Sequence, residues 1–301
     1  MNAAVRRGCL MLDFQTTLLV LTAAINGGLF AFVYLGNPRS PVNRSFAFFV
    51  LSLSVWALLH VGFRLVTSDT IANELLKASY VCALLIAASF YYFSLVFPDG
   101  NRPRRVYFGT LVAVTGLFSI VLLSPGFLTG SIVHDSYGRA AILKVRDYLA
   151  FAAVFCALFL GGQIRLWLKY YKARGVARTQ LLALAMSVTV IGLVGIFFDL
   201  ILPSPFFENF QFIWTGPVLT SAFAIITTYA IFRYHLFNLK AAIVEILVFT
   251  WWLSILVRTL SASASLDVVL DQVLVVFSVP IGTLVLRSLQ TKHNGRERES
   301  D

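Results

Sequence analysis

The sequence is poor in charged residues. Asp, Glu, Lys and Arg together make up 13% of its 301 residues, against about 25% in a typical soluble domain. Hydrophobic residues make up 58%, and the mean hydropathy is +0.82. This composition excludes a soluble globular domain and indicates a membrane protein. The net charge of +10 does not indicate nucleic-acid binding, because the basic residues lie in short loops between apolar runs.

Cysteine and histidine are also scarce. The three cysteines, Cys9, Cys82 and Cys156, have neither metal-ligand spacing nor the pattern of a disulfide framework. Cys82 and Cys156 lie inside apolar runs, which is typical of buried, inert thiols. The four histidines are scattered and form no ligand set. We therefore predict no metal and no cofactor.

The sequence lacks the usual enzymatic patterns. It has no paired carboxylates at catalytic spacing, no His-Glu-x-x-His run, no Gly-x-Ser-x-Gly elbow and no phosphate-binding loop. An intramembrane enzyme would need a convergent group of His, Asp and Glu, and no such group has local spacing. We therefore predict that the chain is not an enzyme and has no catalytic residue.

Long apolar runs recur along the whole length, and each is long enough to cross about 30 Å of hydrocarbon. Each span must be helical, because lipid cannot satisfy an open strand edge. The sequence thus predicts an all-α polytopic membrane protein with about nine transmembrane helices. The predicted spans cover residues 16–35, 46–66, 78–97, 106–123, 148–168, 180–202, 211–232, 241–260 and 268–286.

The distribution of basic residues predicts the orientation of these spans. With the N-terminus outside, sixteen of the 24 Lys and Arg residues fall on the cytoplasmic side and eight on the outer side. Because positive residues accumulate in cytoplasmic loops, the bias favours an N-out, C-in topology. The longest loop, residues 124–147, then faces outside. Its apolar runs flank an Asp/Gly turn, so it is either a β-hairpin or an irregular interfacial loop.

Polar residues inside spans are costly and are candidates for function. Trp56, His60 and Arg64 follow each other at intervals of four and share one helical stripe. A further group of polar residues lies at the same depth toward the outer side. We predict that an outward-opening pocket for a small ligand is lined by His60, Arg64, Tyr80, Asp147 and Asp199.

Purely structural roles are alternatives for these residues. Arg64 and Asp199 lie near span ends, where they would reach the interface or pair with each other as a packing clasp. His60 would hydrogen-bond across helices, or sense protons because its ordinary pKa lies near neutrality.

Three stretches of the sequence resemble the N-terminal seven-transmembrane sensor region of bacterial histidine kinases. They are Asn37-Pro-Arg-Ser-Pro-Val-Asn43 between the first two spans, Phe93-Ser-Leu-Val-Phe-Pro98 at the end of the third, and Tyr229-Ala-Ile-Phe-Arg-Tyr-His-Leu-Phe-Asn-Leu-Lys240 at the end of the seventh. The last stretch is the most specific. The resemblance implies a seven-span sensor domain over residues 16–240, preceded by an outer tail over residues 1–15.

The resemblance further implies a two-span hairpin over residues 241–287 and a cytoplasmic tail over residues 288–301. A kinase domain would follow this tail, but the sequence contains no glycine-rich nucleotide-binding boxes. We therefore expect a membrane-embedded, non-catalytic receptor module in the bacterial cytoplasmic membrane. Signal coupling is assigned to the joint after the seventh span and to the last two spans, at Arg233, Tyr234, Phe237, Glu245 and Pro280. For Glu245 and Pro280, helix-end electrostatics and irregular packing are the structural alternatives.

The expected partners are an unknown small ligand or membrane stimulus and a separate histidine kinase or other cytoplasmic output protein. A homodimer is expected from the resemblance, although no Gly-x-x-x-Gly pattern lies within a span. No nucleic-acid partner is expected. The alternative function is a small-solute transporter or channel, which would require broken helices, internal repeats and a charged site at the membrane midplane.

Overall fold

A computed structural model describes residues 14–135 and 138–232, which form seven helices and one β-hairpin. The predicted spans 241–260 and 268–286 and the five coupling residues lie outside these described residues. The elements are α1 (Phe14–Gly36), α2 (Pro41–Leu65), α3 (Asp69–Val96), α4 (Arg105–Leu123), β1 (Thr129–Asp135), β2 (Gly138–Leu143), α5 (Val145–Lys172), α6 (Gly175–Gly195) and α7 (Thr215–Phe232).

The helices follow from the apolar runs, since a helix satisfies all of its backbone polar groups within lipid. In the described part of the chain, six helices are long and apolar enough to cross a membrane, namely α1 to α5 and α6 with its extension to Ile201. The helix α7 has a shorter apolar stretch, Thr215–Ile225. Each of the first seven predicted spans overlaps one helix. The helical, polytopic architecture is confirmed to this extent.

Short connections join α1 to α2, α2 to α3, α3 to α4 and α5 to α6, and the two helices of each pair lie in contact. The α1–α2 turn is closed by Ser40, whose hydroxyl accepts a hydrogen bond from the Asn43 amide at 3.3 Å, and Pro41 occupies the first turn of α2. The bundle therefore has two ends. We call the end that carries β1 and β2 the hairpin end, and the opposite end, with the α1–α2, α3–α4 and α5–α6 connections, the arginine-rich end.

The loop between α4 and α5 is a β-hairpin. Strands β1 and β2 pair antiparallel, with Val133 opposite Ala140 and Ile132 opposite Ala141. Of the two sequence interpretations of this loop, the hairpin is thus correct. It is held to the bundle by Arg139, whose guanidinium donates to the carbonyls of Phe63 at 2.8 Å and Val66 at 2.7 Å. The same guanidinium forms an ion pair with the Asp69 carboxylate at 3.3 Å.

Two apolar clusters form the core of the bundle. One lies toward the arginine-rich end and includes Phe46, Phe93 and Phe97. The other lies toward the hairpin end and includes Phe63 and Tyr148. Helix α4 contributes little to either cluster and exposes most of its apolar side chains, as a helix bordering lipid does.

Helix α6 does not continue as a regular α-helix through its predicted span, residues 180–202. After Gly195 it widens into one turn of π-helix, Ile196–Ile201. Such π-turns are rare in proteins, and those that occur are often found at functional sites. The sequence predicted one uninterrupted span here, because the apolar pattern does not distinguish an α-turn from a π-turn.

Candidate ligand-binding site

A cavity of about 120 Å³ lies inside the bundle, between α2, α3, α5, α6 and α7. We call it the chamber. Its walls are almost entirely apolar and rich in aromatic rings, which include Trp56, Tyr80, Phe90, Phe151, Phe155, Phe159 and Phe223. The rings pack edge to face in part, as Tyr80 and Phe151 do with their centroids 4.8 Å apart. The volume is far above the 10–15 Å³ that one water needs, so the chamber has room for a small organic molecule.

Two polar side chains in this apolar wall have buried atoms without a hydrogen-bond partner. His60 is 2% exposed, and its Nε2 is buried with no partner. Both carboxylate oxygens of Asp199 are also buried without a hydrogen bond, although the residue as a whole is only half-buried. Leaving a polar group unpaired in an apolar environment costs about 1–3 kcal/mol, and more when the group is charged. Such costs are typical of sites that a ligand completes.

The backbone around Asp199 explains how its carboxylate enters the chamber. Asp199 lies in the π-turn, and Gly216 lies in the first turn of α7. The carboxylate lies directly against Gly216, but its oxygens and the Gly216 amide do not meet hydrogen-bond geometry. A Cβ atom at position 216 would collide with the carboxylate. The π-turn and this glycine together therefore create the space that Asp199 occupies.

A second cavity, of about 240 Å³, lies at the hairpin end between α1, α2, β2 and the segment before α7. We call it the vestibule. In contrast to the chamber, it is polar, and its walls include Arg64, Arg139, Glu208, Asn209 and Gln211. His60 and Ile213 line both cavities. These two side chains thus separate the polar vestibule from the apolar chamber.

The predicted stripe on α2 contacts both cavities. The rings of Trp56 and His60 meet edge to face with centroids 5.2 Å apart. Arg64 lies one turn beyond His60, and its Nε donates to the Thr16 hydroxyl at 3.3 Å. The stripe therefore runs from the aromatic chamber through the dividing histidine to a guanidinium in the vestibule.

The structure brings together four of the five residues predicted to line a pocket. His60, Tyr80 and Asp199 line the chamber, and Arg64 lines the adjoining vestibule. Asp147 lines neither cavity. It is at the start of α5, where its Oδ2 accepts a hydrogen bond from the Leu128 amide at 3.2 Å, and it thereby supports the base of the β-hairpin.

The predicted clasp between Arg64 and Asp199 is not formed as a hydrogen bond, since the Asp199 oxygens have no such partner. Sequence reasoning missed Glu208 and Gly216. Glu208 lies in an irregular segment with positive φ, 51°, and glycine at a helix start is too common to indicate a site. Neither position carries a signal that identifies its neighbour across the bundle.

A sequence model of the family described as "N-terminal 7TM region of histidine kinase" matches residues 18–240. The chain belongs to this family. No curated protein matches the chain.

Membership in the family indicates a membrane sensory module, built on several membrane-spanning helices and associated with a histidine kinase or another cytoplasmic output partner. The sensor region itself is a non-catalytic part of the kinases that carry it. The likeness predicted from the three sequence stretches is thus confirmed, and the match ends at Lys240, the last residue of the third stretch.

Proposed function

We propose that this chain is a non-catalytic membrane receptor that binds a small ligand in the chamber and relays the event to a cytoplasmic partner. The observation that carries the proposal is the chamber itself. It is formed by five helices, it is mostly apolar, and it contains two unpaired polar groups. A core built only for stability would not retain both features.

The proposed signal relay depends on the helices that a ligand in the chamber would contact. Thr220 and Phe223 of α7 line the chamber, and α7 leads directly into the segment that carries Arg233, Tyr234 and Phe237. A ligand that binds one packing of α6 and α7 more tightly than another shifts the population between them, by no more than its difference in affinity. The joint after α7, together with Glu245 and Pro280, would then pass this change to a histidine kinase or another output protein.

The distribution of positive residues supports a defined orientation. Of the fifteen Lys and Arg residues that the structure describes, ten lie at or near the arginine-rich end: Arg39, Arg44, Arg102, Arg104, Arg105, Arg165, Lys169, Lys172, Arg174 and Arg178. Because cytoplasmic loops collect positive residues, we propose that this end faces the cytoplasm of a bacterial inner membrane. The hairpin end and the vestibule then face outside, where a ligand arrives.

The test is to fill the chamber and follow signalling. Ala83 lines the chamber, so Ala83→Leu removes part of its volume without adding charge. The matched control is Ala113→Leu on the exposed surface of α4. A transcriptional reporter of the partner pathway, read in cells with equal membrane levels of each variant, should lose its response with Ala83→Leu and keep it with Ala113→Leu.

An unchanged response in the Ala83→Leu variant would contradict a role of the chamber in sensing. The transporter or channel alternative has its own measurement. Substrate flux into proteoliposomes that contain the purified chain would favour it, whereas a receptor changes partner activity without flux.

A further inference from the structure

The chamber combines one buried carboxylate with a wall of aromatic rings. Among the described residues that line it, Asp199 is the acidic one, and none is Lys or Arg. The Tyr80 and Tyr148 phenols lie near enough to interact with a charge on Asp199. Neither phenol is a hydrogen-bond partner of its oxygens, which have none. The Tyr148 hydroxyl instead donates to the Leu200 carbonyl.

The missing partner of this carboxylate has a definite chemistry. A buried carboxylate is stabilised by a cation or by hydrogen-bond donors. The described lining supplies no cation at Asp199, and the Gly216 amide beside its oxygens does not meet hydrogen-bond geometry. Aromatic faces attract cations through their quadrupole, and aromatic cages recognise organic ammonium groups. The basic side chains near the site, Arg64 and Arg139, lie in the vestibule on the other side of His60 and Ile213. Within the chamber, the complementary group therefore has to come from a ligand.

We propose that the chamber binds an organic ammonium ion with a small apolar or aromatic body, with Asp199 as its counter-ion. The ammonium group would donate hydrogen bonds to the Asp199 oxygens beside Gly216. The apolar body would lie among the aromatic rings of the same chamber, such as Trp56, Tyr80 and Phe151. His60, whose Nε2 is buried without a partner, is suited to form one further hydrogen bond with the ligand. This assignment rests on the proposed receptor function and names its ligand class.

The carboxylate in the chamber also disfavours the binding of an anion or a neutral molecule. An anion would bring a second negative charge next to Asp199 in an apolar site, where like charges repel strongly. A neutral alcohol of the same shape would fill the same volume, but it would leave the carboxylate without a counter-charge. Charge rather than size is thus expected to determine selection among small amphiphiles.

The experiment is calorimetric titration of the full chain in lipid nanodiscs at about pH 7, where alkylammonium groups are protonated. The probes are phenethylammonium, cyclohexylmethylammonium and n-hexylammonium, each paired with the alcohol of the same skeleton, and phenylacetate as the anion. Empty nanodiscs correct for partition into lipid. We expect the best-binding ammonium to bind at least about tenfold more tightly than its alcohol, and phenylacetate not to bind.

Two variants assign the preference to Asp199. Asp199→Asn should abolish the preference for the ammonium while the affinity for the alcohol stays within about twofold. The matched control is Asp147→Asn, since Asp147 is a carboxylate of the same bundle end that lines neither cavity; it should keep the full preference. If Asp199→Asn does not fold, the comparison of ammonium with alcohol on the wild-type chain still decides the question.

Equal or tighter binding of the alcohols, absence of binding by all three ammonium ions, or an unchanged preference in Asp199→Asn would overturn the proposal. These outcomes differ from failure of the receptor function. A chain that binds no ammonium ion but loses signalling in Ala83→Leu remains a receptor with another class of ligand. A chain that binds the ammonium ion but signals normally with Ala83→Leu does not use the chamber to signal.

Discussion

Asp199 and Gly216 show how one residue pair defines a site inside a membrane bundle. The carboxylate is buried without a hydrogen bond, and the absence of a side chain at position 216 makes room for it. A larger residue at position 216 would force either Asp199 out of the chamber or α7 away from α6. Both results would change the chamber, so this contact links the stability of the bundle to its site.

Gly216→Ala should destabilise the bundle by about 1–3 kcal/mol, because an added methyl group overpacks the contact between α7 and the π-turn. The matched control is Gly109→Ala on α4, where a Cβ atom meets nothing within 4 Å. The control should be neutral or stabilise by up to about 1 kcal/mol, since alanine favours a helix over glycine. Thermal unfolding in detergent, followed by circular dichroism, measures both. Equal stabilities of the two variants would show that α7 and the π-turn accommodate the added methyl group without a loss of stability.

Asn26 is the second residue whose role is decided by a distant partner. Its Nδ2 donates to the Ser221 hydroxyl at 3.2 Å, and both side chains are buried. This bond joins α1 to α7, the first and last described helices. A buried side-chain hydrogen bond between membrane helices contributes about 0.5–1.5 kcal/mol.

We expect a double-mutant cycle of Asn26→Ala and Ser221→Ala to give a coupling energy in this range, because each single variant already breaks the bond. The cycle requires the unfolding free energies of the wild type, the two single variants and the double variant, each measured in mixed detergent. Thr110→Val is the control. Its hydroxyl is exposed and bonds the Val106 carbonyl of its own helix, so its effect should stay below about 0.5 kcal/mol. Additive effects of the two buried variants would mean that the bond contributes nothing.

At the scale of elements, the hairpin and the π-turn shape the outer part of the bundle. The last carbonyls of a helix have no intrahelical hydrogen-bond donors. At the end of α2, the guanidinium of Arg139 in β2 donates hydrogen bonds to such carbonyls. The π-turn carries Asp199, whose carboxylate lies against Gly216 of α7. Neither feature follows from hydropathy, because hydropathy places a segment in the membrane and says little about how its last turn is wound.

Arg139→Lys should loosen the hairpin although it preserves the charge. The guanidinium bonds Phe63, Val66 and Asp69 together, and an ammonium has no planar fork with which to do so. We expect a stability loss of about 1–2 kcal/mol and faster hydrogen exchange in β1, β2 and the last turn of α2. Arg146→Lys, at an exposed position on α5, should change neither. If hydrogen exchange in the hairpin of the Arg139→Lys variant stays at the wild-type rate, Arg139 does not hold the hairpin to the bundle.

At the scale of the whole molecule, the bundle has a polar cavity at one end and most of the described basic residues at the other. The vestibule opens between α1, α2 and β2 at the hairpin end. A ligand that arrives from outside would meet the vestibule first and the chamber behind it. The proposed orientation therefore determines which side of the membrane is sensed.

Thiol labelling in intact cells tests this orientation. In a background of Cys9→Ser, Cys82→Ala and Cys156→Ala, one cysteine is placed at Ser131 in β1 or at Arg104 before α4, both of which are exposed. A membrane-impermeant maleimide should label Ser131→Cys in intact cells and Arg104→Cys only after lysis, because positive loops remain cytoplasmic. The reverse pattern would place the hairpin end, and with it the vestibule, on the cytoplasmic side.

The amino-acid sequence by itself determined the membrane class, the seven described helices and the family. These depend on the length and hydropathy of each segment and on short local stretches, which act without reference to the rest of the chain. It also pointed to His60, Arg64, Tyr80 and Asp199, since polar residues within apolar spans are conspicuous.

Only the tertiary structure decided that these four residues converge on two adjoining cavities and that Asp147, at the start of α5, supports the base of the hairpin. It alone revealed the π-turn at Asp199 and the role of Gly216. The physical reason is that helix rotation and packing depend on side chains far apart in sequence. Thus Asn26 and Ser221, 195 positions apart, meet only once the bundle has formed.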